Sequence, residues 1–184
     1  MMQIRPAAID GVVIVERSPL TDSRGSFSRL FCAQELKEIV GSRSIVQINL
    51  SETKAVGAIR GLHYQRYPHA EMKMVSCLKG RVWDVAVDLR AGSQTFLKWH
   101  AEELSPENSR MLVIPEGCAH GFQVLEPNTQ LLYLHTAFYS AAAEGGVQPT
   151  DPKLRVLWPL SISEVSDRDQ THPLLTDEFV GLTP

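Results

Sequence analysis

The run Gly80–Leu89 constrains the fold more than any other part of this chain. In Arg81-Val82-Trp83-Asp84-Val85-Ala86-Val87-Asp88-Leu89 the larger apolar residues Trp83, Val85, Val87 and Leu89 share one parity, and the carboxylates Asp84 and Asp88 share the other. Successive side chains of a strand point to opposite faces, so this period of two predicts a β-strand with one dry and one polar face. Similar short alternating or apolar runs occur at Val12–Glu16, Ser26–Phe31, Ile45–Leu50, Ile59–Gln65, Lys73–Leu78, Phe96–Leu104, Met111–Ile114, Gly121–Leu125 and Gln130–Ala137. Turn signals at Lys79-Gly80, Ala91-Gly92, Pro106-Glu107-Asn108, Glu116-Gly117 and Pro127-Asn128 separate them. Many short strands at this spacing predict an all-β chain, an antiparallel β-barrel or jelly roll with the period of a meander. Only Ala33–Val40 reads as a helix, with Leu36 and Val40 on one face. Beyond Tyr139 the pattern weakens, and Pro149, Pro152, Pro159 and Pro173 interrupt it. The expectation is one domain over residues 1–184, with a barrel core at about 45–137 and an irregular tail at about 140–184 laid over it.

A chain of 184 residues, 43% of them apolar, can bury one sizeable core. The formal charge is −3 and Lys and Arg are scattered, which offers no surface for nucleic acid or membrane but leaves room for a small anionic ligand. No apolar run reaches the roughly 18 residues of a spanning helix, and the start shows no basic segment leading into an apolar one. A cytoplasmic protein is expected. Cys32, Cys77 and Cys118 are odd in number and widely spaced, which argues against a disulfide framework and for a reducing compartment. Each reads most simply as a small buried side chain.

Two blocks carry the chemistry: AIRGLHYQRYPHAEMK from Ala58 to Lys73, and IPEGCAHGF from Ile114 to Phe122. A metal-binding barrel of the cupin type would use a His-x-His pair, a Glu seven residues before a glycine, and a Pro-x-Gly-x-x-His turn. Here the pair is His63-Tyr64-Gln65, and the residue seven before Gly80 is Lys73. Only Pro115–His120 keeps its turn and its histidine. Divalent metals need electron-donating ligands, and an ammonium has no lone pair to give. The residues therefore read as a cupin skeleton that has lost its metal. A metal-dependent cupin oxygenase, with His63, His120 and Glu71 as ligands, is disfavoured by Gln65 and Lys73.

Alternation turns His63 and Gln65 to the face opposite Leu62 and Tyr64, which in a barrel is inward. A lone inward histidine is ordinarily a hydrogen-bonded core residue. Here Lys73 and His120 share the cavity if the strands pair as a jelly roll, and a desolvated lysine is costly unless an anion binds beside it. Tyr133 has the parity of Leu131 and His135, which does not decide whether it meets a cavity. Taken singly, Tyr133, Tyr139 and Trp158 are packing residues. Ser166-Asp167-Arg168-Asp169 is a solvated turn, unless the tail returns to the cavity and a carboxylate orients His63.

The chain also carries Asp22-Ser23-Arg24-Gly25-Ser26-Phe27, Gln47-Ile48-Asn49-Leu50-Ser51, Arg60-Gly61-Leu62-His63-Tyr64-Gln65, Lys73, Asp84–Arg90, Pro115–Phe122, Tyr133, Thr136, Tyr139, Glu144, Asp151-Pro152, Trp158-Pro159, and Ser166–Asp169 ahead of Pro173. From Gly11 to Leu175 this ordered set resembles the nucleotide-sugar epimerases typified by dTDP-4-dehydrorhamnose 3,5-epimerase, which are metal-free cupins. The resemblance implies a nucleotide-linked 4-keto-6-deoxyhexose as substrate, no metal, no cofactor, and a place in deoxysugar and surface-polysaccharide biosynthesis. It implies His63 as general base, Asp169 as the partner fixing its tautomer, Lys73 as stabiliser of the enolate and Tyr133 as acid on the opposite face. Arg60, Gln47, Asn49, His120 and Tyr139 become binding positions for diphosphate and sugar. Arg24 and Phe27 become a base-contacting hairpin that reaches across a homodimer interface.

Three departures bear on the substrate: Arg29 where a glutamate is common, Cys118 where an aromatic is usual, and Pro149-Thr150 in place of Trp-Asn. They leave the acid–base set intact. The same intermediate also allows epimerisation at C3 or C5 alone, or a 3,4-ketoisomerisation, on a nucleotide other than thymidine. A binding module without catalysis is the remaining alternative, and no residue favours it.

Overall fold

A computed structural model describes residues 2–183. Its strands, in chain order, are β1 (Gln3–Pro6), β2 (Val13–Glu16), β3 (Leu20–Asp22), β4 (Gly25–Phe27), β5 (Gln47–Thr53), β6 (Ile59–Gln65), β7 (Lys73–Lys79), β8 (Val82–Asp88), β9 (Trp99–Leu104), β10 (Arg110–Ile114), β11 (Cys118–Val124), β12 (Thr129–His135) and β13 (Glu144–Gly146). Two short helices, α1 (Lys37–Val40) and α2 (Asp167–Gln170), complete the described elements. The order β1-β2-β10-β7-β12-β5 forms one antiparallel sheet, and β13-β6-β11-β8-β9 forms the second. β3 and β4 stand apart as a hairpin.

This is the expected all-β jelly roll, but its connections are not those of a meander. Most neighbours in the sheets are distant in sequence, because from β5 to β13 consecutive strands alternate between the two layers, β8 and β9 excepted. Turn residues end each strand without specifying which strand it joins.

Apolar residues sort by parity into three clusters. Val75, Cys77, Val82, Ala86, Phe122 and Leu131 meet between the sheets. Met74, Met111 and Val113 point out of the six-stranded sheet and are covered by Leu36 and Val40. The dry parity of β8, Val85 and Val87, faces out of the five-stranded sheet, where Val147, Leu154, Trp158 and Phe179 of the tail cover it. Full burial stabilises each such side chain by about 1.5–3 kcal/mol. The polar parity of β8 is thus the inner one: Asp84 and Asp88 are fully buried.

The expected helix Ala33–Val40 shortens to Lys37–Val40, with turns before it. Leu36 and Val40 are buried as their spacing required, yet a single turn satisfies few of its own backbone groups and depends on that packing. The strand expected at Ser26–Phe31 ends at Phe27, since its hairpin packs on no sheet. β1, β3 and β13 and the helix α2 lie where no strand or helix was expected.

Candidate active site

Between the sheets lies a cavity of about 580 Å³. β6 builds one wall through an irregularity in its alternation. Its pairing with β11 runs His63↔His120 and then Arg60↔Phe122, so β6 spends one residue more than its partner. Such a bulge reverses parity locally. Arg60, which strict alternation would turn away from His63, lines the same cavity. The bulge contains Gly61, at φ +117°, where a Cβ would come within 2.6 Å of His120 O and Gly121 Cα. Only glycine permits that approach.

The bulge also leaves the Gly61 N–H free of β11, and it donates to Asp169 Oδ2 at 3.0 Å. The other carboxylate oxygen, Oδ1, lies 2.7 Å from His63 Nε2. Asp169 reaches this place because Ser166 caps the start of α2, its hydroxyl accepting the Asp169 N–H at 3.2 Å. Burial alone would raise the Asp169 carboxyl, but the bonds from His63 and Gly61 outweigh it and hold the group below the ordinary carboxylate range. With Asp169 ionised, His63 Nε2 is the donor and Nδ1 keeps the lone pair.

The facing sheet supplies Lys73 from β7 and Tyr133 from β12. Lys73 Nζ donates to the His63 carbonyl oxygen at 3.3 Å and lies 3.3 Å from Glu71 Oε1. The Tyr133 hydroxyl sits 3.1 Å from Ser51 Oγ, and burial pushes its pKa well above the ordinary phenol value. It therefore starts protonated. His120 meets Tyr133 edge-on, with ring centroids 6.0 Å apart, and its Nε2 is 2.8 Å from Asp84 Oδ1. Burial raises the Asp84 carboxyl against the pull of His120 and Lys73.

Gln47 and Asn49 of β5 point into the cavity, and Tyr139 stands at its exposed mouth with its hydroxyl donating to Glu144 at 2.8 Å. Arg24 and Phe27 are not brought to it. They sit on the isolated β3–β4 hairpin, Arg24 bonded to its neighbour Asp22 at 2.6 Å and Phe27 69% exposed. Within one chain the hairpin does not line this cavity.

The residues at the cupin metal positions do not suit a metal. The Gln65 amide is committed at both ends, accepting from Ser140 N at 2.6 Å and donating to His69 O at 2.9 Å, and Lys73 is a cation. Donor atoms of His63, Asp169 and His172 do lie within 4.8 Å of one another, but His63 already holds the shared carboxylate oxygen. His172, with its buried Nε2 unbonded among the described residues, and the Glu71–His135 pair were missed from sequence. The only signal was the shared parity of His135 and Tyr133; partners 64 residues apart leave no spacing to read.

A jelly roll with an imidazole–carboxylate pair on one wall and an ammonium and a phenol on the other defines a cupin equipped for acid–base chemistry. The chain belongs to the dTDP-4-dehydrorhamnose 3,5-epimerase family, whose model matches residues 6–177. It is 41% identical over 177 residues to dTDP-4-dehydrorhamnose 3,5-epimerase of Salmonella typhimurium, covering 95% of this chain and 96% of that protein. A dTDP-4-dehydrorhamnose 3-epimerase of Streptomyces niveus is 36% identical over 185 residues, covering 100% of this chain and 89% of the relative. The structure is also similar to the Legionella pneumophila dTDP-6-deoxy-D-glucose-3,5-epimerase solved in complex with dTDP-4-keto-L-rhamnose. That comparison has a TM-score of 0.89 and 39% identity, and covers 95% of this chain and 93% of that one.

Proposed function

We propose that this protein is an isomerase that inverts C3, C5 or both in a nucleotide-linked 4-keto-6-deoxyhexose, a step of deoxysugar biosynthesis. The observation that carries the reading is the placement of His63, held by Asp169, across the cavity from Tyr133, with Lys73 beside them. The ketone acidifies the adjacent C–H bonds. His63 removes a proton, and Asp169 stabilises the imidazolium that forms. Charge moves to the C4 oxygen, where the Lys73 ammonium stabilises the enolate. Tyr133 returns a proton from the other wall, and delivery to the opposite face is what inverts the carbon.

Arg60, Gln47, Asn49, His120 and Tyr139 hold the sugar and diphosphate in this reading. Thymidine is the nucleoside named for the relatives; Arg29, tied here to Glu35 at 2.5 Å, does not enter the cavity. Thermal shifts with dTDP, CDP, GDP and UDP decide the nucleotide, since stabilisation reaches about 2.7 kcal/mol at a hundredfold excess over Kd. The chain acts as one domain, because its tail supplies Asp169, and as a homodimer in which the β3–β4 hairpin completes the partner's site. Exposed Leu20, Phe27, Ile48 and Leu50 support that assembly.

Turnover in deuterated water, followed by proton NMR, tests the reaction. Label at both C3 and C5 with inverted configuration is expected. Label at C3 alone would instead match the 3-epimerase named for the Streptomyces niveus relative. No label at either carbon would overturn the proposal.

A further inference from the structure

Glu71 and His135 line the cavity and have no part in the mechanism above. Their hydrogen bonds belong to one directed chain that runs from the cavity mouth to Lys73. The Tyr139 backbone N–H donates to Gln47 Oε1 at 3.0 Å, which leaves Gln47 Nε2 to donate to Asn49 Oδ1 at 3.2 Å. Asn49 therefore offers its Nδ2 donor to His135 Nε2 at 3.3 Å. That nitrogen accepts, so the ring proton lies on Nδ1. Nδ1 donates to Glu71 Oε2 at 2.7 Å, and Glu71 Oε1 faces Lys73 Nζ at 3.3 Å. Every orientation follows from its neighbour, and the first donor is a backbone N–H that has no alternative direction.

The carboxylate has two claimants and serves both. Glu71 has a side chain only 7% exposed; burial would raise its carboxyl, but the bond from His135 and the charge of Lys73 outweigh this and hold it low. An ammonium has three N–H donors. At Lys73 one goes to the His63 carbonyl, and the ammonium is ion-paired with Glu71 Oε1 at 3.3 Å, with no other side-chain partner among the described residues. The bond and the ion pair together hold the ammonium in place and bias the direction of its free N–H.

We propose that Glu71, braced by His135, is a positioning residue that aims the free N–H of Lys73 at the oxygen on which charge develops. The inference rests on the role of Lys73 proposed above and extends it to the residues that hold Lys73 from behind. A carboxylate present only to neutralise Lys73 would not need His135, and that difference makes the idea testable.

Kinetics of four variants, with thermal melting and dTDP affinity as controls, decide the matter. Glu71→Gln keeps the shape but offers one acceptor oxygen in place of two, and His135→Leu removes the brace. Each should lower kcat by about 10–100-fold, by analogy with the outer partners that orient metal-ligating side chains, with KM within about threefold. His135→Asn restores an N–H near the place of Nδ1 and should recover most of the lost kcat. Should Glu71→Gln fold poorly, the contrast between His135→Leu and His135→Asn carries the test alone. Lys73→Met separates the two levels of the argument. If it abolishes turnover while His135→Leu keeps parental kcat, or loses only KM, the positioning role is wrong and the role of Lys73 stands. If Lys73→Met turns over normally, both are wrong.

Discussion

Lys73 shows how much a single residue can disclose through its place in the chain. A lysine seven positions before Gly80 denied the cavity a metal ligand, and once the strands are paired as a jelly roll it shares the cavity with His120, so a cation awaiting an anion was legible in the sequence. Lys73→Met should leave the fold intact and lower turnover by about 10²–10³-fold, the usual cost of one oxyanion donor; steady-state kinetics beside a thermal melt measure both. In the proposed mechanism His63 and Tyr133 divide the proton transfers. His63→Ala should abolish deuterium incorporation at both carbons, whereas Tyr133→Phe should still form the enolate and take up deuterium from the His63 side with retained configuration. A Tyr133→Phe enzyme that inverts at the parental rate would remove the tyrosine from its role. Arg60 was not legible in this way. Alternation pointed it away from His63, and only the extra residue in β6 at Gly61 turns it back. The pairs Glu71–His135 and Asp84–His120 join segments distant in sequence, which no local pattern reports.

At the scale of elements, the period of two located the strands of both sheets other than β1 and β13, because each of those strands has faces of different polarity. It did not show which face was inner. On β8 the carboxylates point inward, and Asp88 anchors the loop that follows by accepting from Arg90, Ser93 and Thr95 at 2.8, 2.6 and 2.6 Å. Burial would raise its pKa, but these bonds outweigh it and hold the group at about 2, below the ordinary value near 3.9. A depressed folded value means that the stabilisation is full above about pH 4 and is lost as pH falls through about 2. Asp88→Asn should cost about 2 kcal/mol at pH 7 in denaturant melts and flatten the acid limb of stability over that window. The tail reads as irregular in sequence because prolines interrupt its pattern, yet it covers the outer face of the five-stranded sheet. Leu154, 3% exposed against that face, should lose about 2–5 kcal/mol on Leu154→Ala in the same melts.

The whole molecule poses a question that no single chain answers, since the β3–β4 hairpin carries Arg24 and Phe27 on an exposed surface away from the cavity. If a second copy receives that hairpin, each site combines one chain's cavity with its partner's hairpin, as a two-fold assembly allows. Two inactive variants then become complementary. A chain with Arg24→Ala and Phe27→Ala keeps its cavity and lacks a working hairpin; a chain with His63→Ala keeps its hairpin and lacks the base. Neither homodimer has a complete site, but a mixed dimer has one, formed by the first chain's cavity and the second chain's hairpin. After mild dissociation and reassociation of an equal mixture, half of the dimers are mixed and each carries one of two sites, so activity should recover to about a quarter of the parental value. Light scattering of the unmixed protein should show a dimer at micromolar concentration. Mixing that restores no activity, with mixed dimers verified by differently tagged chains, would place the hairpin's function within its own chain and end the case for a shared site.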